Sequence, residues 1–314
     1  MKYSTAGEDS GKLQRLCQSG DFVVTAELGP PKGNNPLIVE KKASYLAGFV
    51  DAVNVTDNQT AIVRMSSIAT AALLVRMGIE PVMQMVTRDR NRIAAQSDIL
   101  GAAALGIKNV LCLSGDHQMF GNHPFCKGVY DIDSIQLVSI LRTMRDEGVF
   151  PDTGEKIDGA PDLFIGAADA PFSDPVEYRP YRLRKKIDAG AQFIQTQCIY
   201  DVKAFREYMR RVRDLGIHEK CFIIGGVMPL KSLAMARYMQ QNVPGIVIPE
   251  SFFRCLASAP GGKAGDEGIK ICCDIISELR ETDGISGIHV MAVEWEHRVP
   301  EIIDKCGLLP RPLV

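Results

Sequence analysis

Eight short apolar runs, rich in β-branched residues, recur along this chain, and no other feature limits its fold as tightly. They are Phe22–Glu27, Asp51–Val55, Pro81–Val86, Asn109–Leu113, Leu163–Ala167, Phe193–Gln197, Phe222–Ile224 and Gly287–Val293. The first four begin about 30 residues apart, the length of one strand–helix unit. Eight such units in 314 residues predict an α/β fold, a single (β/α)8 TIM barrel spanning residues 1–314 as one domain. Barrels of this kind build their sites at the C-terminal ends of the strands. There this chain places Glu27, Asp57, Gln84, Asp116, Asp169, Gln197 and Glu294.

The segments between the runs carry helical spacing. Gly11–Ser19 reads as a leading N-terminal helix. Pro36–Leu46, Ser66–Met77, Arg92–Leu105, Ser134–Glu147, Glu177–Ala189, Asp201–Leu215, Lys231–Gln241 and Gly268–Thr282 read as barrel helices. Ser66 or Ser67 caps one of them, and Asp201 reads as an N-cap rather than a ligand. Gly245–Glu250 breaks the repeat and reads as an extra extended segment. The loop from Asp116 to about Ile132 is long and rich in Gly, Pro, His and aromatics, the usual mark of a functional or mobile loop.

The charges are mixed and the net charge is −2, so nothing steers the chain to nucleic acid or an anionic membrane. No apolar stretch reaches the roughly 18–20 residues of a membrane helix. The first ten residues hold no apolar core of a secretory signal, so the expected compartment is the cytoplasm. Nine cysteines, an odd number with several inside strand runs, read as reduced, buried small hydrophobes. His117, His123 and Cys126 lie close together but lack a fourth ligand, so no metal site is expected.

Five segments, in order, resemble the methylenetetrahydrofolate reductase family. Val24-Thr25-Ala26-Glu27-Leu28-Gly29-Pro30-Pro31 is similar to its first-strand signature, an acid before a Pro-Pro turn. Cys112-Leu113-Ser114-Gly115-Asp116 is similar to its Gly-Asp motif after strand four. Lys185-Lys186-Ile187-Asp188-Ala189-Gly190-Ala191, with Thr196-Gln197 and Asp201, resembles a third stretch. Gly226-Val227-Met228-Pro229-Leu230 and Gly245-Ile246-Val247-Ile248-Pro249 resemble two later ones.

The resemblance implies a flavin-binding barrel that reduces 5,10-methylenetetrahydrofolate to 5-methyltetrahydrofolate, a step of one-carbon metabolism. FAD is the family's usual flavin, with FMN left open, and an oligomer is expected. The methylene bridge of the substrate is an aminal and must open to an iminium ion before it accepts hydride. Opening needs a proton at the departing nitrogen, and a carboxylic acid can supply it. Glu27 is the expected acid, since a partly apolar surround raises a carboxyl pKa. The resemblance places Asp116 against the pterin near the flavin. Gln197, with a donor and an acceptor on one amide, suits the amide-like edge of a pterin. For the flavin it implies Gln84, Ser114, Gly115, Tyr130 and Lys186, with Glu177 for the ribose, although Arg179 aligns closer there.

Three positions depart from the bacterial pattern. Ser114 stands where an arginine is frequent, and Gln84 replaces a histidine. Leu233 replaces a phenylalanine that packs on nicotinamide or folate, and leucine has no flat stacking face. Together with the cysteine content these departures point to an acetogen-type catalytic subunit. Such a subunit receives electrons from a partner carrying an iron–sulfur or zinc centre rather than directly from NAD(P)H. A different reading of the same pterin residues is a folate-binding methyltransferase barrel without flavin.

Overall fold

The computed structural model describes residues 10–313; the segment before Ser10, read above as free of a secretory signal, lies outside them. Eight parallel strands close into one barrel in sequential order. They are β1 (Val23–Leu28), β2 (Ala52–Val55), β3 (Pro81–Val86), β4 (Asn109–Leu113), β5 (Phe164–Asp169), β6 (Phe193–Cys198), β7 (Phe222–Val227) and β8 (Ile285–Val290). Strand burial is near complete on both faces, as a parallel sheet covered by helices requires.

The helices are α1 (Lys12–Ser19), α2 (Pro36–Leu46), α3 (Ser67–Arg76), α4 (Arg92–Ala104), α5 (Ser134–Asp146), α6 (Arg179–Ala189), α7 (Val202–Asp214), α8 (Leu233–Asn242), α9 (Glu250–Ser258), α10 (Ala264–Arg280) and α11 (Val299–Lys305). Their starts are written in the sequence. Asn35, Ser66, Asn91, Asp201 and Ser232 each accept a backbone N–H of the first turn. Asp133 and Gln136 form a full capping box. Each such cap is worth about 1 kcal/mol.

Two strands differ most in bounds from the runs that predict them: β8 spans Ile285–Val290 rather than Gly287–Val293, and β7 is longer. Gly245–Glu250, read as an extra extended segment, lies outside the named strands. Gly245 sits in left-handed backbone at φ 78°, and Ile246 and Ile248 are buried while Val247 is exposed. That alternation looks like a strand, but the closed barrel has no free edge to pair with it. Strand seven runs past Ile224 to Val227, because Gly225 and Gly226 continue the sheet, and at Gly226 it leaves no room for a side chain. A Cβ on Gly226 would lie 2.2 Å from the Thr196 carbonyl oxygen.

The barrel interior fills in layers. The lowest is apolar: Val23, Ala52, Val82, Leu111, Phe164, Phe193 and Ile224 share a cluster with Leu13, Leu16 and Cys17 of α1. Helix α1 therefore stoppers the N-terminal end. Glu80 holds it there, accepting Lys12 N–H at 2.5 Å and Leu13 N–H at 2.8 Å. Phe164 and Phe193 stack with centroids 4.8 Å apart. The Phe193 ring occupies the space a side chain at Gly166 would need, since a Cβ there would come within 2.2 Å of it.

Candidate active site

Above the apolar layer the interior turns polar. Asn54 donates to Gln195 Oε1 at 2.6 Å, and Gln195 donates back to Asn54 Oδ1 and to Thr25 Oγ1, both at 3.1 Å. Thr25 Oγ1 lies 2.9 Å from His289 Nδ1. All four side chains are buried, and burial drives the His289 pKa down to about 3, so the imidazole is neutral. Buried polar groups persist when they satisfy one another.

One layer higher, at the C-terminal mouth, two cavities adjoin. The first, about 380 Å³, is lined by residues that include Glu27, Gln84, Ser114, Lys186, Gln197 and His289. The second, about 290 Å³, is lined by residues that include Glu27, Gln84, Asp57, Gln59, Ser114 and Asp116. Glu27, Gln84, Leu113 and Ser114 belong to both walls.

Glu27 is 7% exposed. Burial penalises its charged form and raises its pKa to about 7; Glu296 adds to the rise, while a hydrogen bond from Gln59 and the cations Lys42 and Arg64 oppose it. Gln59 Nε2 donates to Glu27 Oε1 at 3.2 Å. The loop carrying Gln59 enters left-handed backbone at Asn58, Thr60 and Ala61. The other non-glycine residues with positive φ among the described residues are Tyr130 and Glu294. All five follow strands two, four or eight, so backbone strain is confined to this end of the barrel.

Asp116 is exposed, and its Oδ2 accepts Thr60 N–H at 3.1 Å. Arg88, buried, donates to the Asp116 carbonyl oxygen at 3.0 Å and pairs with Asp89 at 2.7 Å. Gly115 lies between them with φ 85°, and a Cβ would sit 3.0 Å from Val86 and 3.3 Å from the Arg88 guanidinium. Glycine is the residue that turn accepts. Ser114 Oγ accepts Ser134 N–H at 3.3 Å. Gln197 has turned its Oε1 to the Cys198 N–H at 3.0 Å. Its Nε2 makes no hydrogen bond among the described residues, and the side chain lines the larger cavity.

Lys186, 7% exposed, donates to the Ala168 carbonyl oxygen and lies 3.6 Å from Asp169 Oδ1. Burial lowers its pKa, which Asp169 partly restores. Tyr208 donates to Asp169 Oδ2 at 2.6 Å. Arg179 and Arg182, from the same helix, line the same cavity. Arg179 donates to the carbonyl oxygens of Ser173 and Asp174. Arg182 makes no hydrogen bond or ion pair among the described residues.

Three expected residues lie away from these walls. Glu177 is exposed on the turn before α6, and Leu233 packs half-buried on the core at the first position of α8. Tyr130, 42% exposed, lines neither cavity. Its ring stands over Gly128, and burial raises its pKa while nearby Arg88 lowers it. Asp57 follows β2 at the mouth of the barrel. It is buried, pairs with Arg90 at 2.6 Å and accepts Val86 N–H at 3.0 Å. Its Oδ1 has no hydrogen-bond partner among the described residues. His117 caps a short turn by accepting Met119 N–H at 3.2 Å. Among the described residues no group of His, Cys, Asp and Glu is arranged to hold a metal, and no helix is long and apolar enough to cross a membrane.

Sequence comparison places this geometry among known proteins. The family model for methylenetetrahydrofolate reductase matches residues 12–307. A probable methylenetetrahydrofolate reductase (NADPH) from Caenorhabditis elegans is 24% identical over 317 residues, covering 95% of this chain and 44% of that protein. Methylenetetrahydrofolate reductase 1 of Schizosaccharomyces pombe is 30% identical over 156 residues, covering 48% of this chain and 25% of that protein. The chain thus spans less than half the length of these two relatives. A Clostridium thermocellum protein, described as binding two copies of 5-methyl-5,6,7,8-tetrahydrofolic acid, shares the fold with a TM-score of 0.66 at 16% identity. That match covers 95% of this chain and 99% of the other.

Proposed function

Because the chain belongs to the methylenetetrahydrofolate reductase family, we propose that its barrel mouth reduces 5,10-methylenetetrahydrofolate to 5-methyltetrahydrofolate with a bound flavin. FAD is the expected flavin, as the family resemblance implies. The observation that carries the reading is Glu27: a carboxyl with a pKa near 7, on the wall shared by two adjoining cavities. Near neutrality such a group is part acid, part base, the condition for proton transfer in either direction.

The residues present fit a flavin nucleotide. Lys186, Arg179 and Arg182 give one cavity a cationic side for phosphates, and Arg182 makes no ion pair among the described residues. The second cavity carries the acidic residues Asp57 and Asp116 on its wall. Ser114, Gly115 and Gln84 offer small uncharged contacts between these ends. Bound there, reduced flavin supplies the hydride and the protein supplies position and field.

The chain's own residues do the rest. Glu27 donates its proton to the departing nitrogen, and the ring opens to the iminium ion that accepts hydride. Asp116, with one oxygen held by Thr60 N–H, keeps a carboxylate at the mouth to contact the pterin. It also disfavours extra negative charge on a neighbouring reduced ring. Gln197 donates from its free amide N–H to a ligand carbonyl. Leucine at position 233 supports a partner subunit, rather than NAD(P)H, as the source that would supply electrons to a bound flavin.

The test is anaerobic. Dithionite-reduced, flavin-loaded protein mixed with methylenetetrahydrofolate should regain its visible flavin absorbance, and Glu27→Gln should slow this by about a hundredfold or more. A purified protein that is colourless, takes up no flavin and still binds the folate would move the assignment to a methyltransferase barrel.

A further inference from the structure

The polar layer beneath the site has a direction. Asn54 Nδ2 donates to Gln195 Oε1, and Gln195 Nε2 donates to Thr25 Oγ1. The threonine hydroxyl then has one proton and two candidate acceptors: His289 Nδ1 at 2.9 Å and the Ile288 carbonyl oxygen at 3.4 Å. The shorter contact is the better hydrogen bond. A proton on Thr25 directed at Nδ1 leaves Nδ1 bare, and a neutral imidazole then carries its proton on Nε2. The ring lines the floor of the larger cavity. Its Nε2 makes no hydrogen bond among the described residues and is not among the sealed, unpartnered buried atoms.

We propose that His289 is a positioning residue: held as the Nε2–H tautomer by Thr25, it presents a fixed hydrogen-bond donor at the cavity floor to a ring carbonyl of the bound heterocycle. This deepens the function proposed above and rests on it for the identity of the ligand. The acceptor chemistry is a lactam carbonyl, which flavin and pterin rings share. Gln197, whose Oε1 is already engaged, adds a second donor to the same cavity. Two donors from strands β6 and β8 give a ring carbonyl a place to bind at this floor. A neutral donor also orients the ring without fixing a charge beside Glu27, whose proton must stay free to move.

The first arm of the test reads the tautomer. Nitrogen-15 NMR of the labelled, ligand-free protein, with His289 assigned by its loss in His289→Gln, should show protonated Nε2 and bare Nδ1. Thr25→Val should mix the two tautomers. A wild-type His289 protonated on Nδ1 would overturn the proposal. The second arm titrates FMN and 5-methyltetrahydrofolate separately. His289→Phe should weaken one of them by about threefold to tenfold, the worth of one neutral hydrogen bond. His289→Gln, which keeps a donor at similar reach, should recover part of that loss. The ligand affected identifies which ring lies on the floor; no change in either would sink the donor role. Wild-type protein that binds neither ligand, yet shows the Nε2–H tautomer, would instead overturn the flavin–folate reading.

Discussion

Gln59 donates a hydrogen bond to Glu27 across 3.2 Å, from a loop whose neighbours Asn58 and Thr60 adopt left-handed backbone. A donor to a carboxylate favours its charged form. Gln59 therefore restrains the rise that burial imposes on Glu27. In Gln59→Leu the Glu27 pKa should rise further, by up to about one unit if the bond is worth about 1.4 kcal/mol. Single-turnover rates that depend on protonated Glu27 should fall as pH rises through about 7 in the wild type, and at higher pH in the variant. A limb that stays in place would remove Gln59 from the proton-transfer chemistry.

The same residue predicts a pH-dependent stability. Glu27 has a folded pKa near 7 against an ordinary 4.5, so between those values the folded state holds more protons than the unfolded one. Stability from this site is greatest below about 4.5 and declines as pH climbs through about 7. The full difference is on the order of 3 kcal/mol. Glu27→Gln escapes it, so its stability relative to wild type should improve from pH 5 to pH 8. Urea unfolding at the two pH values measures this, and a constant difference would argue for an ordinary, ionised carboxylate.

For the electron source, anaerobic stopped-flow mixing of flavin-loaded protein with NADH should show no rapid bleaching of the visible flavin band. Fast bleaching would mean direct NADH use with Leu233 tolerated. Leu233→Phe should raise NADH oxidation if the missing aromatic face is the cause. Since Leu233 lines neither cavity, an unchanged rate would remove the main support for a partner donor.

At the opposite end of the barrel, Arg311 reaches buried Asp51 at 3.2 Å through Nε and 2.5 Å through Nη2, and Asp51 also accepts Val24 N–H at 2.8 Å. Removing one member of a buried pair strands the other charge. Arg311→Ala should cost about 3 kcal/mol by thermal or denaturant unfolding, with flavin binding unaffected. A loss under about 1 kcal/mol would mean that water or Lys12, 3.6 Å away, replaces the guanidinium.

Much of this architecture was legible because barrel strands and helices advertise themselves by period and cap. Six of the eight strands lie within one or two residues of the runs that announced them, and Asp201 caps its helix as read. Helices α9 and α11 were missed. They lie where the repeat lapses, and α9 begins at Glu250, where the segment from Gly245 ends. In the site, Glu27, Gln84, Ser114 and Gln197 came together because strand ends converge by topology. Gln59 was invisible, since its role depends on a loop turning back over β1. Gln195 and His289 did leave a signal: each is an inward-facing polar residue in an apolar run, and Gln195 is two positions before Gln197. The alternation that selected strand ends did not reach down to that layer.

The stopper at the base of the barrel has a consequence in time. Leu13 and Leu16 are among the first described residues to leave a ribosome, yet their socket includes Phe164, Phe193 and Ile224. No part of that socket's far side exists until more than half the chain has been made. Through that interval the apolar stripe of α1 has no native place to go, and contacts of such long sequence separation form slowly. Sealing the floor is therefore a late event in this molecule's assembly, and until then α1 carries an uncovered apolar stripe.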